Sequence, residues 1–191
     1  MLKRIKKRRA KGLTNYKKRI ALLKGNYIRA VIRKSNRNIL VQFVILDEKE
    51  RSDKIVGSVN SSILKNFGWE PKRNIPTAYL TGLLAAKKFQ DKGNEVVLDM
   101  GLYKPIKSSI IYAAAKGIVD GGIKLRNNIE VDENRIKGAH ISSYAAILKS
   151  DEKQYKNKFS SYIKSKFDIN KISELFEVAK MKINEAQTNN K

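Results

Sequence analysis

The chain has 191 residues, 41% of them apolar, which suits one domain with tails and a core that folds without covalent staples. Cysteine is absent, so disulfides, cysteine-ligated zinc and iron–sulfur clusters are excluded, and no apolar run approaches the roughly 18 residues of a membrane span. The formal net charge is +23, and a charge of that size points to a polyanionic partner, of which nucleic acid is the commonest.

The charge is concentrated at the start. MLKRIKKRRAKGLTNYKKR holds ten Lys or Arg in 19 residues and no acid. The first acid is Asp47, so residues 1–46 carry +15 and the rest of the chain +8. Seven of the eleven Arg fall in that segment: Arg4, Arg8, Arg9, Arg19, Arg29, Arg33 and Arg37. Arginine suits bidentate contact with phosphate and stacking on bases. No apolar core of a secretory signal follows, and a mitochondrial presequence fits poorly, since the first Ser is Ser35. Residues 1–13, with Arg4, Lys6, Lys7, Arg8, Arg9 and Lys11, are expected to be a disordered arm, because like charges and few apolar groups cannot offset the entropy of ordering.

A short helix follows, with Thr14 as N-cap and Gly25 just past its end. Tyr16, Ile20 and Leu23 form its apolar stripe, while Lys17, Lys18, Arg19 and Lys24 point largely elsewhere. NYIRAVIRKSNRNILVQFVIL reads as a hairpin turning at Ser35-Asn36. That register sets Arg33 opposite Asn38, Val31 opposite Leu40 and Arg29 opposite Gln42. The other face, with Ile28, Ala30, Ile32, Ile39, Val41 and Phe43, is wholly apolar. Residues 54–59 complete an antiparallel meander. A short helix closes at Gly68, and a helix of about four turns runs from Asn74 towards Gly93. Residues 95–100 form a strand, and a helix begins at Pro105 and stops at Gly121-Gly122. Helix–strand–helix implies a crossover and a mixed sheet. Residues 123–150 read as loop, with a short helix near Ser142–Leu148. Ile169, Ile172, Leu175, Phe176, Ala179 and Ile183 mark a C-terminal amphipathic helix, packed on this domain or on a partner.

The fold class is therefore α/β, divided into a basic arm with its short helix (1–25), an α/β domain (26–150) and a C-terminal helical extension (151–191).

Several blocks of this sequence resemble one known family. GLTNYKKRIALLKG, IRAVIRKSNRNILVQFV, NIPTAYLTGLLAAKK, VVLDMGLYKP, AAAKGIVDGG, RIKGAHISSYA and FSSYIKSKF are similar, in that order, to the large-subunit ribosomal protein of the L-eighteen family in its archaeal form. The resemblance implies an α/β protein of the cytoplasmic ribosome. Its implied partners are 5S rRNA, the large rRNA at the central protuberance, and neighbouring large-subunit proteins. It also implies RNA near Tyr103 and Lys104 of GLYKP, while the place of the sole histidine, His140, in RIKGAHISSYA suggests a structural or RNA-contacting loop. No cofactor, membrane or small-molecule substrate is expected.

A-form RNA hides its base edges, so proteins read its phosphates, 2′-hydroxyls, shape and unstacked bases. Arg29 and Arg33, four residues apart on one strand, would project from the same face about 13 Å apart and could clamp an RNA backbone. Asn38 and Gln42 can donate and accept at 2′-hydroxyls, while Lys34, Ser35, Asn36 and Arg37 cap the hairpin. Tyr16 and Tyr27 are either core or staple residues or stacking candidates. Neutralising about six to eight phosphates gives a log–log salt slope of roughly −4 to −7. A two-metal nuclease would need clustered carboxylates. Asp47, Asp53, Asp99 and Asp120 are the candidates, but only Asp99 ends a strand, and no nucleotide-binding or hydrolase motif is present. A basic architectural protein outside the ribosome is the alternative, though the helices carry core-facing stripes rather than groove-reading surfaces.

Overall fold

Ala30 and Ile32 alternate with Arg29, Val31 and Arg33, a period of two that makes a strand with one apolar face. The same alternation through Ile39, Val41 and Phe43 makes its partner, and all five apolar side chains are buried. The computed structural model describes residues 6–47, 49–50, 52–89 and 95–186. Among them, β1 (Ile28–Lys34), β2 (Ile39–Asp47), β3 (Ser52–Asn60) and β4 (Val96–Asp99) form one sheet in the order β3-β2-β1-β4. β1, β2 and β3 are an antiparallel meander, and β4 joins β1 in parallel, so the sheet is mixed.

The hairpin register differs from the sequence expectation by two residues. Lys34 pairs with Ile39, Arg33 with Leu40, Val31 with Gln42 and Arg29 with Val44. Residues 35–38 form the turn, closed by Ser35 N–H donating to Asn38 O at 2.8 Å and Asn38 N–H donating to Ser35 Oγ at 2.9 Å. A two-residue turn would need positive φ at Ser35 or Asn36, and neither has it. A shift of two preserves the faces, so the apolar face is as expected while the Arg29–Gln42 and Arg33–Asn38 pairs do not form.

The crossover consists of a 3-10 helix, Ser61–Phe67, and α3, Ile75–Lys88. Asn60 caps the first, and Gly68 ends it at φ 79°. Asn74 Oδ1 caps α3 by accepting from Thr77 N–H, and every residue from Ile75 to Ala86 is buried. Gly93, the expected end of this helix, lies outside the described residues. After β4, α4 spans Ile110–Asp120 and begins at a Ser109 cap, not at Pro105. Ser108, at φ 55°, breaks the chain just before it, and Ile106, the first residue of the expected stripe, is exposed. The expected stop at Gly121-Gly122 holds, with Gly122 at φ 97°.

α3 and α4 pack closely because both lack a side chain where they touch. A Cβ on Gly117 would overlap the carbonyl oxygen of Tyr79, and one on Gly82 that of Ala114. Both obstacles are backbone, so the helices would have to separate. Gly117→Ala is expected to lower stability by roughly 3 kcal/mol, read as a lower urea midpoint at unchanged m-value.

The chain then forms α5 (Glu133–Lys137), α6 (Ala139–Leu148), α7 (Glu152–Lys164) and α8 (Ile172–Glu185). Neither α5 nor α7 is an individually expected helix, and α6 starts three residues before its expected position. α8 matches its stripe from Ile172 on, with Ile172, Phe176, Ala179 and Ile183 buried in the same core as the sheet, while Ile169 precedes the helix. Phe176 lies edge-on to Trp69 at 6.1 Å and beside Tyr79 at 5.6 Å. Trp69 Nε1–H donates to Thr77 Oγ1 at 2.9 Å, so the buried indole is satisfied. A second apolar cluster, with Leu148, Phe159, Tyr162 and Ile169, joins α6 and α7. Asn74 Nδ2 donates to Tyr162 Oη at 2.7 Å and ties α7 to the start of α3.

Candidate nucleic-acid interface

Arg4 lies outside the described residues. The described part of the arm contains one helical turn, α1, Lys7–Ala10, with no buried residue, where the sequence reading expects disorder. Two local contacts favour the turn. Arg8 Nε–H donates to Thr14 Oγ1 at 2.9 Å, and Lys6 Nζ lies 4.5 Å from the centre of the Tyr16 ring. Thr14 is thus a partner of Arg8, and the cap of α2 (Tyr16–Leu23) is Asn15, whose Oδ1 accepts from Lys18 N–H at 3.1 Å. Past α2, the left-handed residue is Asn26, at φ 48°, not Gly25. Ile20 of the expected stripe is exposed, and no residue of α2 is buried. Tyr16 and Leu23 of that stripe are half-buried with Leu22, and polar contacts tie the helix down further: Lys18 Nζ donates to Gly101 O at 3.2 Å, and Arg19 Nη2 to Asp53 Oδ2 at 2.8 Å.

The expected pair of phosphate clamps is corrected. Arg29 is 2% exposed, and its guanidinium reaches Asp53 Oδ1 at 2.7 Å and Asp99 Oδ2 at 3.8 Å. It lies on the sheet face away from the main core, flanked by those two carboxylates. Arg33 is partly open. Its Nη1 donates to Asp99 O at 2.8 Å and its Nη2 to Asp99 Oδ1 at 3.2 Å. Gly101, at φ 62°, lets the loop lie against this guanidinium, because a Cβ there would come within 3.1 Å of it.

Around these residues is a cleft of about 300 Å³, whose lining includes Arg8, Lys18, Arg19, Arg33 and Tyr103. Tyr103 Oη lies 3.4 Å from Lys34 O, and Lys34 Nζ is 4.9 Å from the centre of the ring. The arm, α2, the end of β1 and the 101–103 turn thus form one cationic surface. Lys7, Arg9, Lys11, Lys17 and Lys104 are exposed. Tyr16 is half-buried beneath Lys6, and Tyr27 lies 5.2 Å from the Arg126 guanidinium, so both already carry a cation.

The hairpin tip borders a second groove of about 570 Å³. Asn36, Arg37 and Asn38 line it with Lys65, Lys72 and Arg73. The last three are absent from the sequence reading. They arrive because β3 pairs Asn60 with Leu40, which starts the 3-10 helix beside the turn. Gln42 points to the outer face, with Nε2 3.4 Å from Ser58 Oγ.

His140 lies elsewhere, in the first turn of α6, which packs on α5, α7 and α8. Partial burial, then the Arg135 charge, hold its imidazole pKa below the ordinary 6.5, with Asp132 pulling the other way. The folded chain then binds fewer protons than the unfolded one just below 6.5, so this contribution to stability is complete above that pH and is lost as pH falls through the lowered value. As the only histidine, it should titrate in proton NMR as a single imidazole with a midpoint below 6.5.

The carboxylates weighed for metal chemistry have other partners. Asp47 accepts from the Lys49 and Glu50 N–H groups, Asp120 accepts from Tyr79 Oη and pairs with Lys116, and Asp53 and Asp99 flank Arg29.

The family described as ribosomal large subunit proteins 60S L5, and 50S L18 matches residues 2–95. The large ribosomal subunit protein uL18 of Thermofilum pendens is 38% identical over 185 residues, 94% of this chain and 93% of that protein. The chain belongs to this family. Its uL18 relative from Korarchaeum cryptofilum is 41% identical over 175 residues, 90% of this chain and 88% of that protein. Membership of the archaeal-type L18 family makes it a structural protein of the large ribosomal subunit, as the sequence resemblance implies. The matched segment contains the arm, α2, the three-strand meander and both grooves' cations from Arg8 to Arg73.

Proposed function

We propose that this L18-family protein binds 5S rRNA and holds it against the large rRNA at the central protuberance, as a non-catalytic part of the cytoplasmic ribosome. The observation that carries this reading is a set of cations without carboxylate partners. Among the described residues, Lys7, Arg8, Arg9, Lys11, Lys17, Lys34 and Arg37 have no carboxylate partner. Their mutual repulsion is relieved by a dense line of phosphates, and release of condensed counterions drives the association.

The residues divide by role. Lys6, Lys7, Arg8, Arg9, Lys11, Lys17 and Arg4 contact phosphates, with the arm following a groove. Arg33, Lys34, Tyr103 and Lys104 border the cleft beside α2. Ser35, Asn36, Arg37, Asn38 and the neighbouring Lys65, Lys72 and Arg73 take a second stretch of backbone. Gln42 presents a donor and an acceptor to 2′-hydroxyls or base edges. Other large-subunit proteins are neighbours. His140 belongs to a separate contact with RNA.

Competition binding tests the reading. At matched salt, folded 5S rRNA should displace a labelled 5S probe well ahead of duplex DNA of equal length or anionic vesicles. Equal competition by all three would reject it in favour of a general basic binder.

A further inference from the structure

The buried guanidinium of Arg29 is the centre of an alternating row of charges. Burying a cation is costly unless it is paired and hydrogen-bonded. Each of its two carboxylates uses its other oxygen on a second arginine. Asp53 Oδ2 meets Arg19 Nη2 at 2.8 Å, and Asp99 Oδ1 meets Arg33 Nη2 at 3.2 Å. The row Arg19–Asp53–Arg29–Asp99–Arg33 therefore runs from α2 through β3, β1 and the end of β4 back to Arg33 on β1. Gly101 N–H donates to Asp99 Oδ1 at 2.7 Å, and Gly101 O accepts from Lys18, so the other tie of α2 ends on the same row. α2 needs such ties. It has eight residues and none is buried, and an isolated helix of that length is marginal in water.

We infer that Arg29 and Asp53 are positioning residues for RNA binding. Arg29 fixes Asp53, Asp53 holds Arg19, and α2 is thereby set on the sheet so that the arm leaves in one direction beside the cleft. Neither residue contacts RNA; both act through Arg19. The inference rests on the RNA-binding reading above. If the docked population of α2 fell to about one-tenth, the apparent dissociation constant would rise about tenfold.

Removing Asp53's charge separates positioning from simple attraction, because the two predict opposite signs. Asp53→Asn makes the chain more positive, so attraction alone predicts tighter RNA binding, whereas loss of positioning predicts weaker binding. Asparagine keeps an oxygen acceptor for Arg29. The control, Glu152→Gln, removes a carboxylate from α7 that pairs with Lys156. Two measurements are made on the full chain: the dissociation constant for 5S rRNA, and 15N relaxation of the α2 amides in the free protein. The expected result for Asp53→Asn is about tenfold weaker binding, with lower order parameters in α2, while Glu152→Gln binds as well as wild type or better. Binding unchanged or tightened in Asp53→Asn, or α2 as rigid as in wild type, would overturn the inference. Should Asp53→Asn fail to fold, Arg19→Gln leaves the buried pair intact and should loosen α2 equally; an unchanged α2 there would also overturn it. Failure of the wild-type chain to bind 5S rRNA would count against the RNA reading instead, and the relaxation comparison would still decide whether the row holds α2.

Discussion

Deleting residues 1–13 should weaken binding to 5S rRNA by about 10²–10³-fold near physiological salt while leaving the melting temperature nearly unchanged. The segment carries seven Lys and Arg. If about four of them reach phosphates, the log–log salt slope should become shallower by about three units. The small thermal effect follows from the packing, since no residue of α1 is buried. Affinity and slope are read from filter binding across a salt series, and stability from circular dichroism. An unfolded deletion product would mean the arm is part of the core, and an unchanged slope would mean its cations face something other than phosphate.

Phe176→Ala is the substitution expected to cost the fold most, roughly 3–5 kcal/mol. The ring is 1% exposed and fills the space between Trp69 and Tyr79, which come from the crossover. Large-to-small changes lose the transfer energy of the ring and leave a cavity that rigid neighbours cannot close. Chemical denaturation should therefore show one transition, at a clearly lower midpoint. A loss under about 1 kcal/mol would indicate that α8 docks loosely and contributes little to the core.

The sheet was legible because a period of two, sustained from Ile28 to Phe43, leaves few alternatives. Its faces survived a two-residue error in register, since parity decides which side chains are buried. Turn geometry was less legible. The Ser35–Asn38 closure depends on one hydroxyl accepting an N–H, a detail that competes with two-residue turns of similar composition. α4 began late for a related reason: Ser109 caps it, and Pro105 only resembles a helix start. α5 and α7 are short or strongly polar, so their periodicity is weak and their stability comes from tertiary contacts such as Asn74 with Tyr162.

For the candidate site, charge density marked the arm correctly as a cationic surface, but it could not sort arginines by burial. Arg29 and Arg33 share a face and a spacing. Asp53, 24 residues from Arg29, pairs with Arg29 and not with Arg33, while Asp99 pairs with both, and local spacing reveals neither contact. Lys65, Lys72 and Arg73 reach the hairpin tip by the same kind of long-range register. The family blocks were the more specific signal, because they constrain many positions at once.

RNA–protein crosslinking within native large subunits, mapped to nucleotide and residue, decides whether this cationic surface faces RNA. Crosslinks are expected from the 6–19 segment and from the 34–38 hairpin tip to 5S rRNA and the adjoining large rRNA. Crosslinks from those segments only to other proteins, with 5S rRNA joined to distant parts of this chain or to none, would contradict it.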